Sequence, residues 1–428
     1  MNKQTIKDVD LSGQVVLVRV DFNVPLDGGR ITDDTRISAA LPTLKALSNS
    51  KLVLCSHLGR PEGKRNPEES LAPCAARLGE LLGKNIPFVD DCIGPKVADA
   101  VARMQPGDVI LLENTRFYPG EESKDKDQML AFAKELAAPA QAFVNDAFGS
   151  SHRKHASVYG VTQFLSPNVA GLLVELEVSK LEQLYNAPGE GFVVVLGGKK
   201  VKDKIGVITS LLPRCEKMLI GGAMTWAFFK ARGLEVGASY CPDDAVEQAK
   251  QIDVDMKDYL GKMILPVDVN MQNVAGDHSS KFAAADQIEP GWDAQDIGPK
   301  SATMFADIIR AAQTVFWNGP MGHFEVKPFD AGTLEVAKAM GDCPGFNVIG
   351  GGDSVAAVTQ MGLEDKIDHV STGGGASLEF LENGSLPGVD ALDDEHLSTF
   401  TVPHRGASHG QALSDLELEA LGVRVVSV

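Results

Sequence analysis

The chain has 428 residues, too many for one hydrophobic core, and this length predicts two domains. Its 44% apolar and 23% charged residues are typical of a folded globular protein and argue against general disorder. The formal charge of −18 disfavours nucleic acid and acidic membranes as partners. A polar first segment, the lack of a long apolar run and six dispersed cysteines indicate a cytoplasmic protein with reduced thiols.

The chain alternates short β-branched runs with helical stretches, which predicts βαβ units and a mostly parallel sheet. The strand candidates in chain order are 15–22, 52–57, 108–113, 142–148, 192–197, 217–220, 262–269, 314–318 and 346–350. Helices are predicted between them at 38–48, 70–83, 125–137, 201–212, 299–312 and 353–361. Many of the strands are continuously apolar, which fits sheets covered on both faces. A longer helical stretch at 168–186 is interpreted as the connector between two doubly wound α/β domains.

Polar residues follow the strand candidates of the first half, where an open parallel sheet binds its ligands. Four arginines and one histidine lie at or near these strand ends, and they are Arg36, His57, Arg60, Arg116 and Arg153. Any one of these arginines could be an ordinary surface ion-pair partner. Four at successive ends of one sheet favour a site for a carboxylate or phosphate, because the planar guanidinium binds these anions in a bidentate manner.

Glycine clusters follow the strand candidates of the second half. Such clusters can simply make turns, but at strand-to-helix junctions they also let backbone N–H groups approach phosphate oxygens. The segment 350–354 (GGGDS) adds an acid that could hold Mg²⁺ on a nucleotide. The chain contains neither G-x-x-x-x-G-K-[ST] nor G-x-G-x-x-G, which argues against a P-loop NTPase, a kinase of the protein-kinase type and an NAD dehydrogenase.

Several exact strings resemble the phosphoglycerate kinase family, in order, over roughly residues 3–392. In the first half they are RVDFNVP (19–25), DDTRI (33–37), SHLGRP (56–61), LLENTRF (111–117) and VNDAFGS (144–150). In the second half they are LPVD (265–268), WNGPMGHFE (317–325), IGGGDS (349–354) and VSTGGGASLEFL (370–381). The resemblance implies a glycolytic transferase, a kinase that moves the acyl phosphate of 1,3-bisphosphoglycerate to ADP, giving 3-phosphoglycerate and MgATP. It also implies a cytoplasmic, ATP-binding monomer with two domains facing each other across a hinged cleft.

The resemblance also assigns roles to individual residues. Phosphoglycerate would be held by Asp21, Asn23, Arg36, His57, Arg60, Arg116 and Arg153, and the catalytic residues would be Arg36, Lys200 and Gly373. The nucleotide would be bound by Gly197, Gly198, Lys200, Lys204, Gly221, Gly222, Asn318, Glu325, Gly350, Gly351, Gly352, Asp353, Ser354, Thr372, Gly373, Gly374 and Gly375. Asp353 would hold the metal of MgADP or MgATP. These roles agree with the chemistry of phosphoryl transfer, which requires the reactants to be positioned and their charge to be neutralised.

The implied domains are a phosphoglycerate-binding domain over 1–167, an interdomain helix over 168–187 and a nucleotide-binding domain over 188–375. Residues 376–392 would fold back onto the first domain. Residues 393–428 extend past the family pattern and contain a capping-box sequence at 414–417. They could be an appended tail or a packed accessory element.

Three positions depart from the family pattern. Lys199 replaces an alanine beside Lys200, the glycine-rich segment reads GGAMTWAFF (221–229), and the loop 152–155 reads HRKH. Two rivals remain for the function, an oxidoreductase of the dinucleotide-binding fold and a catalytically inactive binding protein on the same fold. NAD(H) binding would support the first, and the presence of Arg36, Lys200 and Asp353 counts against the second.

Overall fold

The computed structural model describes residues 1–395. The predicted capping-box helix around 414–417 lies outside these residues. The first domain is built from the following elements: β1 (Val15–Val20), β2 (Leu26–Asp27), β3 (Arg30–Ile31), α1 (Thr35–Ala46), β4 (Lys51–Cys55), α2 (Ala72–Leu82), β5 (Phe88–Val89), α3 (Pro95–Ala102), β6 (Val109–Leu112), α4 (Lys126–Ala137), β7 (Ala142–Asp146) and β8 (Asn168–Ala170). Helix α5 (Leu172–Tyr185) follows.

The second domain has more elements than the sequence predicts. They are β9 (Phe192–Leu196), α6 (Ile205–Leu211), β10 (Lys217–Ile220), α7 (Met224–Ala231), α8 (Asp243–Asp255), β11 (Met263–Ile264), β12 (Asp268–Asn273), β13 (Ser280–Ala284), β14 (Trp292–Ile297), α9 (Pro299–Arg310), β15 (Thr314–Asn318), α10 (Ala331–Asp342), β16 (Phe346–Gly350), α11 (Gly352–Gln360) and β17 (His369–Val370). Two helices follow the last strand, α12 (Gly374–Asn383) and α13 (Pro387–Asp390).

Two six-stranded parallel sheets organise the molecule, so the predicted α/β fold with two doubly wound domains is confirmed. The first sheet has the order β5-β6-β4-β1-β7-β8, and the second has the order β11-β10-β9-β15-β16-β17. The central strands are continuously buried because helices cover both faces. In both sheets the strand order reverses at a central strand, which opens a crevice at the carboxyl ends of the strands.

Helix α5 links the cores of the two domains. Its buried residues Val174, Val178, Leu181 and Leu184 recur every three or four positions and therefore form one apolar stripe. They belong to one continuous hydrophobic cluster that includes residues of both sheets. The hydrophobic interior therefore passes from one domain to the other beside this helix.

Two predicted elements are wrong in detail. The helix predicted at 168–186 begins only at Leu172, because Asn168–Ala170 is a strand at the edge of the first sheet. The strand predicted at 262–269 is two strands of different sheets, since Met263–Ile264 pairs with β10 and Asp268–Asn273 lies in a separate antiparallel sheet. Pro266 between them has no N–H to offer a ladder, and it separates the two strands.

The last described segment returns to the first domain. The N–H of Gly388 donates to the carbonyl of Ser151 at 2.8 Å, and Asn145 donates its side-chain amide to the carbonyl of Gly388 at 2.9 Å. Beyond α13, the N–H of Gln4 donates to the carbonyl of Asp393 at 2.9 Å. The segment 393–395, predicted as the start of an extension, is thus paired with the first residues of the chain. Within residues 1–395, no helix is both long enough and apolar enough to cross a bilayer.

Candidate functional site at the cleft between the two sheets

Arg36 lies at the carboxyl end of the central strand β1. Its Nη1 is 3.3 Å from Oδ1 of Asp21, the first residue after this strand, and donates to the carbonyl of Asn23 at 3.1 Å. The side chain remains 36% exposed. The guanidinium is therefore held in a defined place by its neighbours and still has donors available for an anion.

His57 and Arg116 follow the two neighbouring strands, β4 and β6. His57 is buried, and this burial, together with the charges of Arg19 and Arg116, holds its pKa well below the ordinary value. Arg116 donates to the carbonyl of Gly59 at 2.7 Å and approaches Glu122 at 2.8 Å. The imidazole is neutral at neutral pH, so the positive charge of this region comes from guanidinium groups.

The loop 152–155 contacts helix α12, which follows the last strand of the second sheet. Arg153 lies 3.9 Å from a carboxylate oxygen of Glu379 on α12. Burial lowers the pKa of His152 and of His155 to about 4, so both are neutral at neutral pH. The buried Nδ1 of His152 has no hydrogen-bond partner within residues 1–395.

Three lysines follow strand β9 of the second domain, and their side chains take different directions. The ammonium of Lys199 lies over the ring of Tyr240, 4.1 Å from its centroid. Lys199 and Lys200 both line the cleft between the domains, and Lys199 also lines the adjoining cavity. Lys204 is buried, and its ammonium donates to the side-chain oxygen of Asn318. Burial lowers the pKa of Lys204 to about 8. The buried side-chain amide nitrogen of Asn318 has no partner within residues 1–395, so it can still donate a hydrogen bond.

Asp353 lies in the first turn of α11 and is an exposed residue. Partial loss of water around its carboxylate and the negative charge of Glu325 raise its pKa, while Lys204 opposes this shift. The neighbouring Ser354 is buried and accepts a hydrogen bond from the N–H of Gly319 at 2.7 Å. Asp353 is thus available to a ligand, and Ser354 joins two of the glycine turns.

The turn before α12 is anchored by a buried acid from α5. Glu177 accepts hydrogen bonds from the backbone N–H and the hydroxyl of Thr372, both at 2.7 Å, and its other oxygen lies 2.7 Å from Nε2 of His369. A Cβ on Gly374 would lie only 2.7 Å from Gly351 Cα, so these two turns require glycine to approach each other.

The remaining glycine turns pack against each other in the same way. The N–H of Gly198 donates to the carbonyl of Pro320 at 2.9 Å, and the N–H of Gly221 donates to that of Leu196 at 2.8 Å. A Cβ on Gly197 or Gly222 would collide with main-chain atoms of the neighbouring turns. The turns after β9, β10 and β15 therefore pack closely against one another, and this close approach requires glycine.

A cleft of about 830 Å³ brings residues of the two domains together. Among the predicted site residues it is lined by Arg60, Arg153, Gly197, Gly198, Lys200, Lys204, Asn318, Gly351, Gly352, Asp353, Gly374 and Gly375. Gly149 and Gly373 lie at the closest approach of the two domains, since a Cβ on Gly373 would be 2.7 Å from Gly149 Cα. Asp21 lies beside this approach, because a Cβ added to Gly149 would be 2.6 Å from its Oδ2.

A second cavity of about 410 Å³ adjoins the glycine turns of the second domain. Of the predicted residues it contains Gly198, Gly222, Glu325 and Asp353, so Asp353 lies between the two cavities. Trp226, which lies in the segment 221–229 that departs from the family pattern, also lines it. Tyr240 and Asp293 line it as well, and no sequence pattern predicts a role for them. Sequence reasoning also missed Arg19 and Glu177. For Arg19 a signal existed, because a lone arginine interrupts an apolar strand.

Comparisons with known proteins point to one family. The family model for phosphoglycerate kinase matches residues 6–384. The phosphoglycerate kinase of Trichodesmium erythraeum (strain IMS101) is 49% identical over 402 residues, which cover 92% of this chain and 100% of that protein. The structure of phosphoglycerate kinase from Coxiella burnetii superposes with a TM-score of 0.79 at 35% identity, covering 91% of this chain and 98% of that one. The crystal structure of the Pyrococcus horikoshii OT3 enzyme gives a TM-score of 0.81 at 29% identity, with the same two coverages.

Proposed function

The chain belongs to the phosphoglycerate kinase family, and from this premise we propose how its residues carry out the reaction. The enzyme is a phosphotransferase of glycolysis that reversibly transfers the acyl phosphate of 1,3-bisphosphoglycerate to ADP, giving 3-phosphoglycerate and ATP. The observation that carries the residue-level proposal is the cleft between the two sheets. Arginines of the first domain and lysines with glycine turns of the second line it together.

The first domain binds the phosphoglycerate in this proposal. Asp21, Asn23, Arg36, His57, Arg60, Arg116 and Arg153 supply the contacts. The carboxylate of this substrate is planar and its phosphate is tetrahedral, and both present pairs of oxygens that a guanidinium group can bind in a bidentate manner. The position of Arg36 against Asp21 and Asn23 supports a defined orientation of its donors.

The second domain binds the nucleotide. The phosphates lie against Lys200, Lys204 and the turns 350–353 and 372–375, while Glu325 takes the ribose. The free amide of Asn318 beside Lys204 supports this assignment, because a buried donor without a partner is satisfied once a phosphate oxygen arrives. Gly198 and Gly222 line the adjoining cavity, which would hold the nucleoside. Gly197 and Gly221 belong to the same two turns and would shape this cavity from behind.

Asp353 is the residue that would hold Mg²⁺. This exposed residue lies at the junction of the two cavities, and its carboxylate offers the hard oxygen ligand that this ion prefers. Bound with the nucleotide, the ion would neutralise phosphate charge.

Transfer requires the two bound anions to reach near-contact distance. The attacking oxygen, a β-phosphate oxygen of ADP in the ATP-forming direction, forms a bond to phosphorus as the bond to the carboxylate oxygen breaks. Arg36 and Lys200 stabilise the charge spread over the moving phosphoryl group, and the N–H groups at the start of α12 provide further donors. We propose that closure of the domains about α5 and the turn at Gly373 creates this arrangement and excludes water.

A coupled assay tests the proposal directly. The purified chain should form ATP from 1,3-bisphosphoglycerate and ADP, and the rate should depend on Mg²⁺. Binding of NAD(H) without ATP formation would support the oxidoreductase alternative. Binding of both substrates with no turnover would indicate an inactive binding protein.

The proposal also covers the domain boundaries, the oligomeric state and the location of the protein in the cell. We propose that residues 1–167 with 376–392 form the phosphoglycerate-binding domain and that residues 188–375 form the nucleotide-binding domain. The hydrogen bonds of Gly388 to Ser151 and Asn145 support the return of the chain. We also propose a cytoplasmic monomer, which light scattering and cell fractionation can test.

A further inference from the structure

Arg19 is a charged residue inside the apolar central strand of the first sheet. It lies between the fully buried Val18 and Val20 and is itself 1% exposed. Removing a guanidinium from water is costly unless its charge and its hydrogen bonds are compensated. The hydrogen-bond partners of the Arg19 guanidinium therefore indicate the role of this residue.

Part of the compensation comes from a buried acid. Nε of Arg19 donates to the hydroxyl of Ser157 at 2.8 Å, and this hydroxyl donates to Oε1 of Glu121 at 2.6 Å. The N–H of Ser157 donates to the other oxygen of Glu121 at 3.0 Å, and Glu121 is fully buried. Nη1 of Arg19 donates to the carbonyl of Val20. These bonds fix the plane of the guanidinium.

The remaining nitrogen of Arg19 points to His57. Nη2 lies 3.0 Å from Nδ1 of His57, with the hydroxyl of Ser150 farther away at 3.5 Å. A guanidinium can only donate, so Nδ1 must accept. A neutral imidazole that accepts at Nδ1 carries its proton on Nε2. The arrangement therefore permits one tautomer of His57.

The surroundings of His57 also disfavour a second proton. The charged or titratable groups with the largest effect on the ring are Arg19, Arg116, His155 and Arg36, and each of them lowers the pKa of His57. Together with burial, they keep the imidazole neutral. Nε2 of His57 has no hydrogen-bond partner within residues 1–395, so its N–H is available to a ligand.

We propose that Arg19 is a positioning residue that holds His57 in the neutral tautomer with the proton on Nε2, so that the ring presents an N–H donor to the phosphoglycerate anion. The inference rests on the proposed function, in which His57 contacts this substrate. The opposite tautomer would present a lone pair to the anion and repel it. In this way a histidine contributes a directed hydrogen bond without adding a further charge to a region that already holds several arginines.

The tautomer can be measured in the full-length enzyme without substrate, and the result is therefore independent of the proposed function. Long-range ¹H–¹⁵N correlation spectra of histidine-labelled protein at pH 7 separate protonated from unprotonated ring nitrogens. The His57 signals are assigned by their loss in His57→Gln among the nine histidines. We expect an unprotonated Nδ1 and a protonated Nε2. A proton on Nδ1, alone or with one on Nε2, would overturn the proposal.

Variants then test the connection to substrate binding. In Arg19→Met we expect the KM for 3-phosphoglycerate to rise about tenfold, corresponding to one lost hydrogen bond to an anion, with little change in the KM for MgATP. Arg19→Lys, which can also only donate, should retain the tautomer if its ammonium reaches Nδ1 and restore part of the KM. The double variant Arg19→Met/His57→Ala should have the KM of His57→Ala alone. If the KM increases of the two single variants multiply in the double variant, Arg19 does not act through His57.

Ser157→Ala is the matched control. It removes the bond to Nε of Arg19 but leaves the contact between Nη2 and His57, so stability should fall while the tautomer is retained. If Ser157→Ala changes the tautomer as Arg19→Met does, the intact network and not the Arg19–His57 bond sets the proton position, and the proposal is wrong. If Arg19→Met does not fold, the tautomer of His57 measured in the unaltered enzyme still tests the proposal.

Discussion

Replacing Gly373 with alanine should separate two main-chain segments of different domains. The new Cβ would lie 2.7 Å from Gly149 Cα and 2.9 Å from Cδ1 of Phe148. The first distance is about 0.7 Å short of the 3.4 Å at which ordinary van der Waals contact begins. The φ of Gly373 is −129°, outside the left-handed region, so the strain comes from the contact and not from the backbone conformation. Because the obstacle is main chain, the segments must move apart.

This displacement should affect the transfer step more than binding. A misplacement of close to 1 Å between reacting groups costs about 10²-fold in rate, so we expect kcat to fall by about this factor. Alanine keeps the backbone N–H of residue 373, which donates to the hydroxyl of Ser371 at 3.2 Å. In the proposed function each substrate binds its own domain, so both KM values should stay within a few-fold. Overpacking of this kind lowers the free energy of unfolding by roughly 1–3 kcal/mol.

Steady-state kinetics of ATP formation, with each substrate varied in turn, and urea unfolding measure the two effects. Gly261→Ala is a suitable control, because no heavy atom lies within 4 Å of its Cβ position and its φ is not positive. The control should change neither kcat nor stability. If Gly373→Ala loses stability but keeps the kcat of the unaltered enzyme, the spacing at Gly149 does not set the transfer distance and the reasoning is refuted.

Four further predictions concern the charged residues and the end of the chain. Arg36→Ala should lower kcat by about 10³–10⁵, and Arg36→Lys should rescue little, since a point charge cannot replace the planar fork; a rise in KM alone would assign Arg36 to ordinary binding. Lys200→Ala should lose most of kcat while Lys199→Ala stays active, because the Lys199 ammonium is held over an aromatic ring; the reverse ranking would show that the assignment is shifted by one residue. Below pH 8, Lys204 is protonated in both the folded and the unfolded state, and between about 8 and 10.5 only the unfolded state keeps the proton, so stability should rise with pH in this window. Lys204→Met should abolish that pH dependence, because it removes the titrating group, and urea unfolding as a function of pH can measure the change. Truncation after Glu395 should leave kcat and both KM values within a few-fold, and a tenfold loss in a folded truncation would assign the remaining residues to the working enzyme.

Continuous apolar runs allowed the main sheet strands to be predicted. The apolar run 15–22 predicts strand β1, which spans Val15–Val20, and the run 314–318 predicts β15, which spans Thr314–Asn318. Such strands are buried on both faces, so their local composition already determines what they form. Short edge strands carry no such pattern. The local sequence predicts a helix at 168–170, whereas these residues form a strand because they pair with β7, more than twenty positions earlier in the chain.

The fold class, the resemblance to one family and the chemistry offered at each strand end can all be predicted from the sequence, because these depend on local patterns and exact strings. Only the tertiary structure placed Glu177 under the turn at Thr372, Gly149 against Gly373, and Arg19 against Nδ1 of His57. Each of these contacts joins residues that are tens to hundreds of positions apart. Their distances depend on how the sheets and helices pack, and no local propensity encodes them.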